Sequence, residues 1–319
     1  MIDSGRSLVR ALAASCIACI GLALASCGGE TERPVFESPE VADAGPRPDT
    51  GFLADCNAPR WPPPSVEDDG YQRFELCGWT VMMGASLYAD RLAPAVYETL
   101  ASDLQVIQDL LPSAVVAKLR QVKFWMERNR RAFVGVYHSS PGWLRLNGYP
   151  EKWARGVHFG VARTFLDLED IQPAVVLHEL AHAWDHLEHD YGFPAVQSAY
   201  DAALNSGIYD EVPYILGGVS EAYATTNSVE YFAELSEAFH STGPPGSFQN
   251  DFFPYDREEL RAHDPLGFAA VDAAWRPSGR QGNAASPRAP IVPSIFCGHK
   301  FIDKCVSGKD FGVCRRSAK

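Results

Sequence analysis

The pattern of apolar and polar positions changes character near residue 70. Before it, large apolar residues are sparse once a first apolar run has ended at Leu24. After it, they recur with regular spacing. Phe74–Met83 reads as one β-strand ended by Gly84. Leu92, Val96, Leu100, Leu104, Ile107 and Leu111 recur every three or four residues, which predicts a helix over Leu92–Leu111 that stops at Pro112. Ser113–Gln121 reads as a second, shorter helix, and Val122–Met126, Ala132–Tyr137 and Gly156–Phe159 read as strands before a helix at Arg163–Leu168. Val176, Leu177, Leu180, Ala181 and Trp184 mark a further helix, with Pro173 suited to its first turn. Phe232, Leu235 and Phe239 form the stripe of another, for which Asn227 is the natural N-cap. His240–Phe248 is rich in glycine and proline and reads as a loop; Asp256–His263 and Leu266–Trp275 read as terminal helices. Strands followed by helices predict an α+β domain over residues 71–276.

Two of these helices carry chemistry. The first contains His178-Glu179-Leu180-Ala181-His182, the H-E-x-x-H pattern. Four residues make about one helical turn, so both imidazoles lie on one face and can hold one metal ion, zinc above all. Glu179 sits one position round, within reach of a water on that ion. The plainer reading is a histidine-rich surface helix, since His186 and His189 follow. The metzincin continuation fails, because Asp185 stands at its glycine position and Glu188 at its third histidine. His186 and His189 fall at other offsets. A carboxylate from the later helix is the remaining option for a third ligand. Glu230 and Glu234 share one face there at i, i+4. Glu230 could complete the metal site, with Glu234 accepting a ring N–H from a ligand histidine. Alternatively Asn227 and Glu230 form only a capping box.

The combination of His178–Asp185 (HELAHAWD) with Tyr223, six further residues and Glu230-Tyr231-Phe232-Ala233-Glu234 resembles the catalytic domain of lethal-factor-like Glu-zincin metallopeptidases. The segments TTNSVEYFAEL and DFFPYDREELRAHDP, the latter at Asp251–Pro265, extend the resemblance over roughly Tyr71–Trp275. It implies a zincin-like fold in which a small mixed sheet packs on the H-E-x-x-H helix beside a second ligand-bearing helix. It further implies one zinc ion held by His178, His182 and Glu230, Glu179 as general base, and Tyr223 as the group that supports the oxyanion. The implied activity is peptide-bond hydrolysis, on a protein or peptide substrate. The competing expectation is a surface binding or adhesive lipoprotein whose zinc site is structural or degenerate. Hydrolysis of a non-peptide bond, for example in cell-wall material, is a third. An extended substrate could lie along a sheet edge, at Ala132–Tyr137 or Gly156–Phe159. His138, His158 and His263 read as structural residues, and Gly217-Gly218 could give backbone freedom to place Tyr223.

The termini set the compartment. Arg6 and Arg10 precede an apolar run from Ala11 to Leu24, short for a membrane span and typical of a signal segment over residues 1–26. Leu24-Ala25-Ser26-Cys27 resembles a bacterial lipobox, which predicts a lipidated Cys27 and anchoring to the cell envelope. The alternative is an ordinary signal peptide that leaves the protein free. Gly28 after the cysteine resembles lipoproteins sent to the outer membrane. Residues 27–70 are proline-rich and read as a tether, spanning roughly 35–40 Å as a flexible chain. Residues 277–293 read as a second linker, and 294–319 as a tail with Cys297, Cys305 and Cys314. With His299 these cysteines match no familiar zinc spacing. Outside the cytoplasm disulfides are expected. Cys56–Cys77 and one bridge within the tail need the least loop closure, which leaves one cysteine over. A net charge of −12 argues against nucleic acid as a partner. A monomer is expected.

Overall fold

The computed structural model describes residues 60–130, 135–241 and 248–277. The expected signal segment, lipidated Cys27, most of the tether, the second linker and the cysteine-containing tail lie outside these residues, as do positions 132–134 and 242–247.

The domain is α+β, about 50% helical, with a mixed sheet. Six strands, β1 (Val66–Asp68), β2 (Tyr71–Leu76), β3 (Trp79–Gly84), β4 (Lys123–Met126), β5 (Val136–His138) and β6 (Gly156–Phe159), lie in the order β1-β2-β3-β4-β6-β5. The pairs β3–β4 and β4–β6 are parallel; the other three are antiparallel. The expected single strand at Phe74–Met83 is in fact a hairpin. Leu76 pairs with Trp79 across a two-residue turn, Cys77-Gly78, in which both residues have positive φ (51° and 84°). That is a primed turn, whose twist suits a hairpin. Cys-Gly is not among the dipeptides that announce one, so the apolar residues on either side merge into one apparent strand. A Cβ at Gly78 would meet Arg120 Nε at 2.6 Å, and Arg120 instead donates to the Cys77 carbonyl at 3.0 Å. Cys77 is disulfide-bonded.

The ordered fold also starts before the expected boundary at Gly70. Trp61 packs on Tyr88 and Tyr97, and β1 adds to the sheet from within the tether range. Of the two candidate substrate edges, Gly156–Phe159 is an interior strand, flanked by β4 and β5. Of the two, β5 is the one that ends the sheet among the described residues, and its described part runs Val136–His138.

Side chains alternate across the sheet as period two requires. Phe124 and Met126 enter the main core with Phe74, Val81, Val157 and Phe159. Trp125 points the other way, into a second cluster with Tyr71, Met82, Leu144 and Trp153. Both faces are thus covered, as a sheet with parallel strands needs. On the main face lie α1 (Ala93–Leu110), α2 (Ser113–Leu119), α4 (Ala162–Leu168) and α5 (Val175–Trp184); α3 (Pro141–Leu146) covers the other. Every residue of α5 is buried, which fits a helix apolar on nearly all sides. It begins at Val175, so Pro173 lies in the preceding turn rather than in the helix. A π-turn at Asp185–His189 continues it. Beyond follow α6 (Pro194–Ser206), the small hairpin β7 (Val212–Pro213) and β8 (Val219–Ser220), a 3-10 turn at Tyr223–Thr225, α7 (Ser228–Phe239), α8 (Arg257–His263) and α9 (Pro265–Ala274). Trp184 stacks on Trp275 with centroids 5.6 Å apart and donates to the Ala274 carbonyl, fixing α9 against the end of α5. No helix among the described residues is long and apolar enough to cross a membrane.

Candidate metal centre

Helices α5 and α7 pack directly on one another and bring the expected residues together. His178 and His182, one turn apart, present their rings edge to face with centroids 4.7 Å apart. Asn227 caps α7 by accepting from the N–H groups of Val229 and Glu230. This cap leaves the Glu230 side chain to turn toward α5. Its Oε2 lies 3.2 Å from Nε2 of His178 and 3.2 Å from Nε2 of His182. All three residues are buried, with one ligand atom of each within 4.8 Å of the others, a group that could hold a metal ion.

Two observations test the fit. Four-coordinate zinc with bonds of about 2.0–2.1 Å separates neighbouring ligand atoms by about 3.4 Å. The two carboxylate–imidazole distances match this. The second observation is charge. Glu179, Glu230, Glu234, Glu237 and Asp251 are all buried in this region, where the imidazoles of His178 and His182 are the groups whose positive charge opposes theirs. No lysine or arginine among the described residues forms an ion pair with any of the five. Buried charge on this scale needs protons or a cation. The shifts have the corresponding sense. Burial pushes Glu234 and Asp251 well up; the charges of Asp251 and Glu237 add to the rise of Glu234, and that of Glu237 to the rise of Asp251. Burial would lower His178, yet its bonds to Glu230 and Glu237 hold it well above its ordinary value. Glu230 is held below the carboxylate range, because the two histidines outweigh its burial.

The residue that supports His178 is not the expected one. Glu237 Oε1 lies 2.6 Å from Nδ1 of His178, while Glu234 Oε1 is 3.7 Å away. Gln172 Nε2 donates to the same Glu237 oxygen at 3.2 Å. Glu237 lies seven residues after Glu230, two turns along one face, and that spacing is its signal in the sequence. The group His178, Glu234 and Glu237 could also hold a metal ion. It shares His178 with the first group, and a ring whose Nε2 binds a cation keeps its proton on Nδ1, where Glu237 accepts it.

Glu179 is buried, and its Oε2 accepts the Tyr137 backbone N–H at 2.6 Å. Burial raises its pKa; the two histidines and the Tyr137 bond work against the rise. Tyr137 lies on β5, so one end strand of the sheet, as the described residues give it, runs beside this carboxylate. A Cβ on Gly135 would sit 3.6 Å from Glu179 Oε1 and 2.9 Å from the Phe159 ring, so the chain passes close there. Tyr223 is half-buried, its ring centroid 6.4 Å from that of His178. Gly217 and Gly218, both at φ 90°, form the tip of the β7–β8 hairpin that leads into it.

The other histidines are engaged elsewhere. His186 Nδ1 is 2.9 Å from the Tyr137 hydroxyl, His189 Nε2 lies 2.8 Å from the Ala274 carbonyl, and His263 Nε2 lies 2.9 Å from the Ile208 carbonyl. His138 and His158 are buried among Trp143 and Trp153 on the far sheet face. Compared with protein-family models, characterised proteins and solved structures, the chain matches none.

Proposed function

We propose that the protein is a zinc-dependent peptidase of the zincin type, with His178, His182 and Glu230 as the ligands of one ion. The observation that carries this reading is the 3.2 Å approach of one Glu230 oxygen to both Nε2 atoms, next to a buried Glu179. When bound, zinc lowers the pKa of a water to about 7 and polarises a carbonyl. Glu179 takes a proton from the attacking water on a carboxylate oxygen and passes it to the departing amine. The Tyr137 N–H holds that carboxylate in place through Oε2, leaving Oε1 for the proton. Glu237 keeps the His178 proton on Nδ1, so that Nε2 presents its lone pair. Tyr223 donates a hydrogen bond to the developing oxyanion, an interaction worth about 3 kcal/mol in comparable donors. The same reading includes a lipid anchor at Cys27 that holds the domain at the cell envelope.

Favouring catalysis over a structural site is the count of ligands: among the described residues three protein donors gather here, where a structural site has four. Metal analysis combined with a diverse peptide library tests the proposal. We expect one zinc per chain, and cleavage that stops with a chelator and returns with zinc. Glu179→Gln is expected to keep the metal and lose nearly all turnover, and Tyr223→Phe to lower kcat at unchanged metal content. Full turnover by Glu179→Gln would remove the base from the mechanism.

A further inference from the structure

A second polar constellation lies along the same wall as Glu179. His186 follows Glu179 by seven residues, in the π-turn that continues the helix and roughly 10 Å further along it. Its Nδ1 is 2.9 Å from the Tyr137 hydroxyl, and Tyr191 stacks on its ring at 5.3 Å. Tyr137 is buried, and burial pushes its phenol pKa up, so the phenol keeps its proton and is able to donate it to Nδ1. In the tautomer that accepts this bond, the half-exposed ring carries its own proton on Nε2. Tyr137 therefore fixes His186 through its side chain and Glu179 through its backbone.

Arg155 completes the constellation. It precedes β6 in a left-handed conformation (φ 58°), and its N–H is bonded to the His138 carbonyl. Tyr137 pairs with Val157 in the β5–β6 register, which makes Arg155 the diagonal neighbour of Tyr137. Its side chain is exposed. Arg73, Arg128, Arg163 and Arg276 each hold a carboxylate, but none among the described residues lies within ion-pair range of Arg155. The guanidinium is close enough to act on both neighbours. It opposes the effect of burial on Tyr137, and it adds to burial in keeping His186 below its ordinary value. Asp190 acts on His186 in the opposite sense and more weakly.

We propose that Arg155 and the Nε2–H of His186 form a carboxylate-binding subsite about three residues from the bond that is cleaved, at ~3.3 Å per extended residue. This rests on the peptidase reading above. The ligand is a carboxylate, from an acidic side chain or from the free end of the substrate chain. A cation and an N–H donor that both neighbour the same tyrosine suit that group, and a neutral residue gains nothing from them.

The test uses the zinc-loaded protein and a peptide library offered with free and with amidated C-termini, its products sequenced. Aspartate, glutamate or a free terminus is expected to be enriched two to four residues from the cleaved bond. Arg155→Met should cut that enrichment about tenfold, and Asp190→Asn should raise it. Enrichment lost on amidation assigns the chain end; enrichment that survives amidation assigns a side chain. Cleavage without any carboxylate preference, or a preference indifferent to Arg155→Met, overturns the subsite. Binding of the same peptides to Glu179→Gln, followed by fluorescence anisotropy, separates the two proposals. If nothing is cleaved, the peptidase reading fails. Salt-sensitive, Arg155-dependent binding of carboxylate peptides then still supports the subsite, and its absence overturns it.

Discussion

At the scale of single residues, the centre depends on what stands behind the ligands. His178 can face a cation with Nε2 only if its proton stays on Nδ1, and Glu237 is the group that holds it there, at 2.6 Å. Glu237 is itself oriented by Gln172. Removing the carboxylate charge while keeping the shape should loosen this arrangement. We expect Glu237→Gln to weaken metal retention by about 10–100-fold. Glu234→Gln, whose oxygen lies 3.7 Å from the ring, should have a smaller effect. Chelator competition on the two variants measures both, and equal losses would rule out a privileged role for Glu237. The sequence makes His178, Glu179, His182 and Glu230 visible because their spacing is the chemistry. It hides the Tyr137 contact to Glu179, since a backbone N–H has no signature of residue type. It points to Glu234 as support because i, i+4 is the nearer neighbour on a helix, whereas the approach of α5 to α7 selects the residue one turn further on.

At the scale of elements, α7 combines two demands that conflict in isolation. Glu230 sits in the first turn, where a glutamate commonly folds back to the cap. Here Asn227 alone satisfies the N–H groups of Val229 and Glu230, and the glutamate turns outward to the histidines. Asn227→Ala should therefore do two things. It should lower stability by about 1 kcal/mol, read from denaturant unfolding of the metal-free protein. It should also weaken metal binding, because the first turn that carries Glu230 frays. Unchanged metal affinity in a destabilised variant would show that packing, not the cap, places this residue. The strands illustrate a different limit. Gly156–Phe159 is legible as a strand from its apolar run, but whether it is an edge depends on which strand comes next in the sheet. β5 takes the edge although it precedes β6 in sequence, because β6 pairs in parallel with β4 and β5 folds back antiparallel onto it.

At the scale of the whole molecule, the sheet separates two polar interiors of opposite character. The face toward α5 buries an excess of carboxylates; the other face buries His138 and His158 among tryptophans. Burial lowers His138 to about 4 and His158 to about 3, the latter helped by His138 and Arg130. A histidine with a depressed folded pKa costs nothing above its unfolded value of about 6.5. Below that, the unfolded chain takes up a proton that the folded one refuses, so stability falls as pH drops toward 4. The raised carboxylates act in the opposite sense, and so does Asp185, pushed up by burial to about 7. A contrast with wild type therefore isolates the histidine. Relative to wild type, His138→Phe should gain up to about 3 kcal/mol between pH 6.5 and 4. Unfolding free energies across that window check it, and a constant difference would mean that His138 charges in the fold.

What the sequence by itself determined was local. Helical spacing fixed which residues share a face of α5 and of α7, proline at 112 and the cap at 227 set helix ends, and short apolar runs marked strand segments. These follow from contacts within a few residues, which the order of amino acids specifies directly. The tertiary structure decided the rest: that Glu230 meets both imidazoles, that Glu237 supports one of them, that β5 rather than β6 ends the sheet among the described residues, and that Arg155 and His186 both neighbour Tyr137. Each joins segments far apart in the chain, and their distance is set by how whole helices and strands pack, through the summed fit of many side chains that no single position encodes.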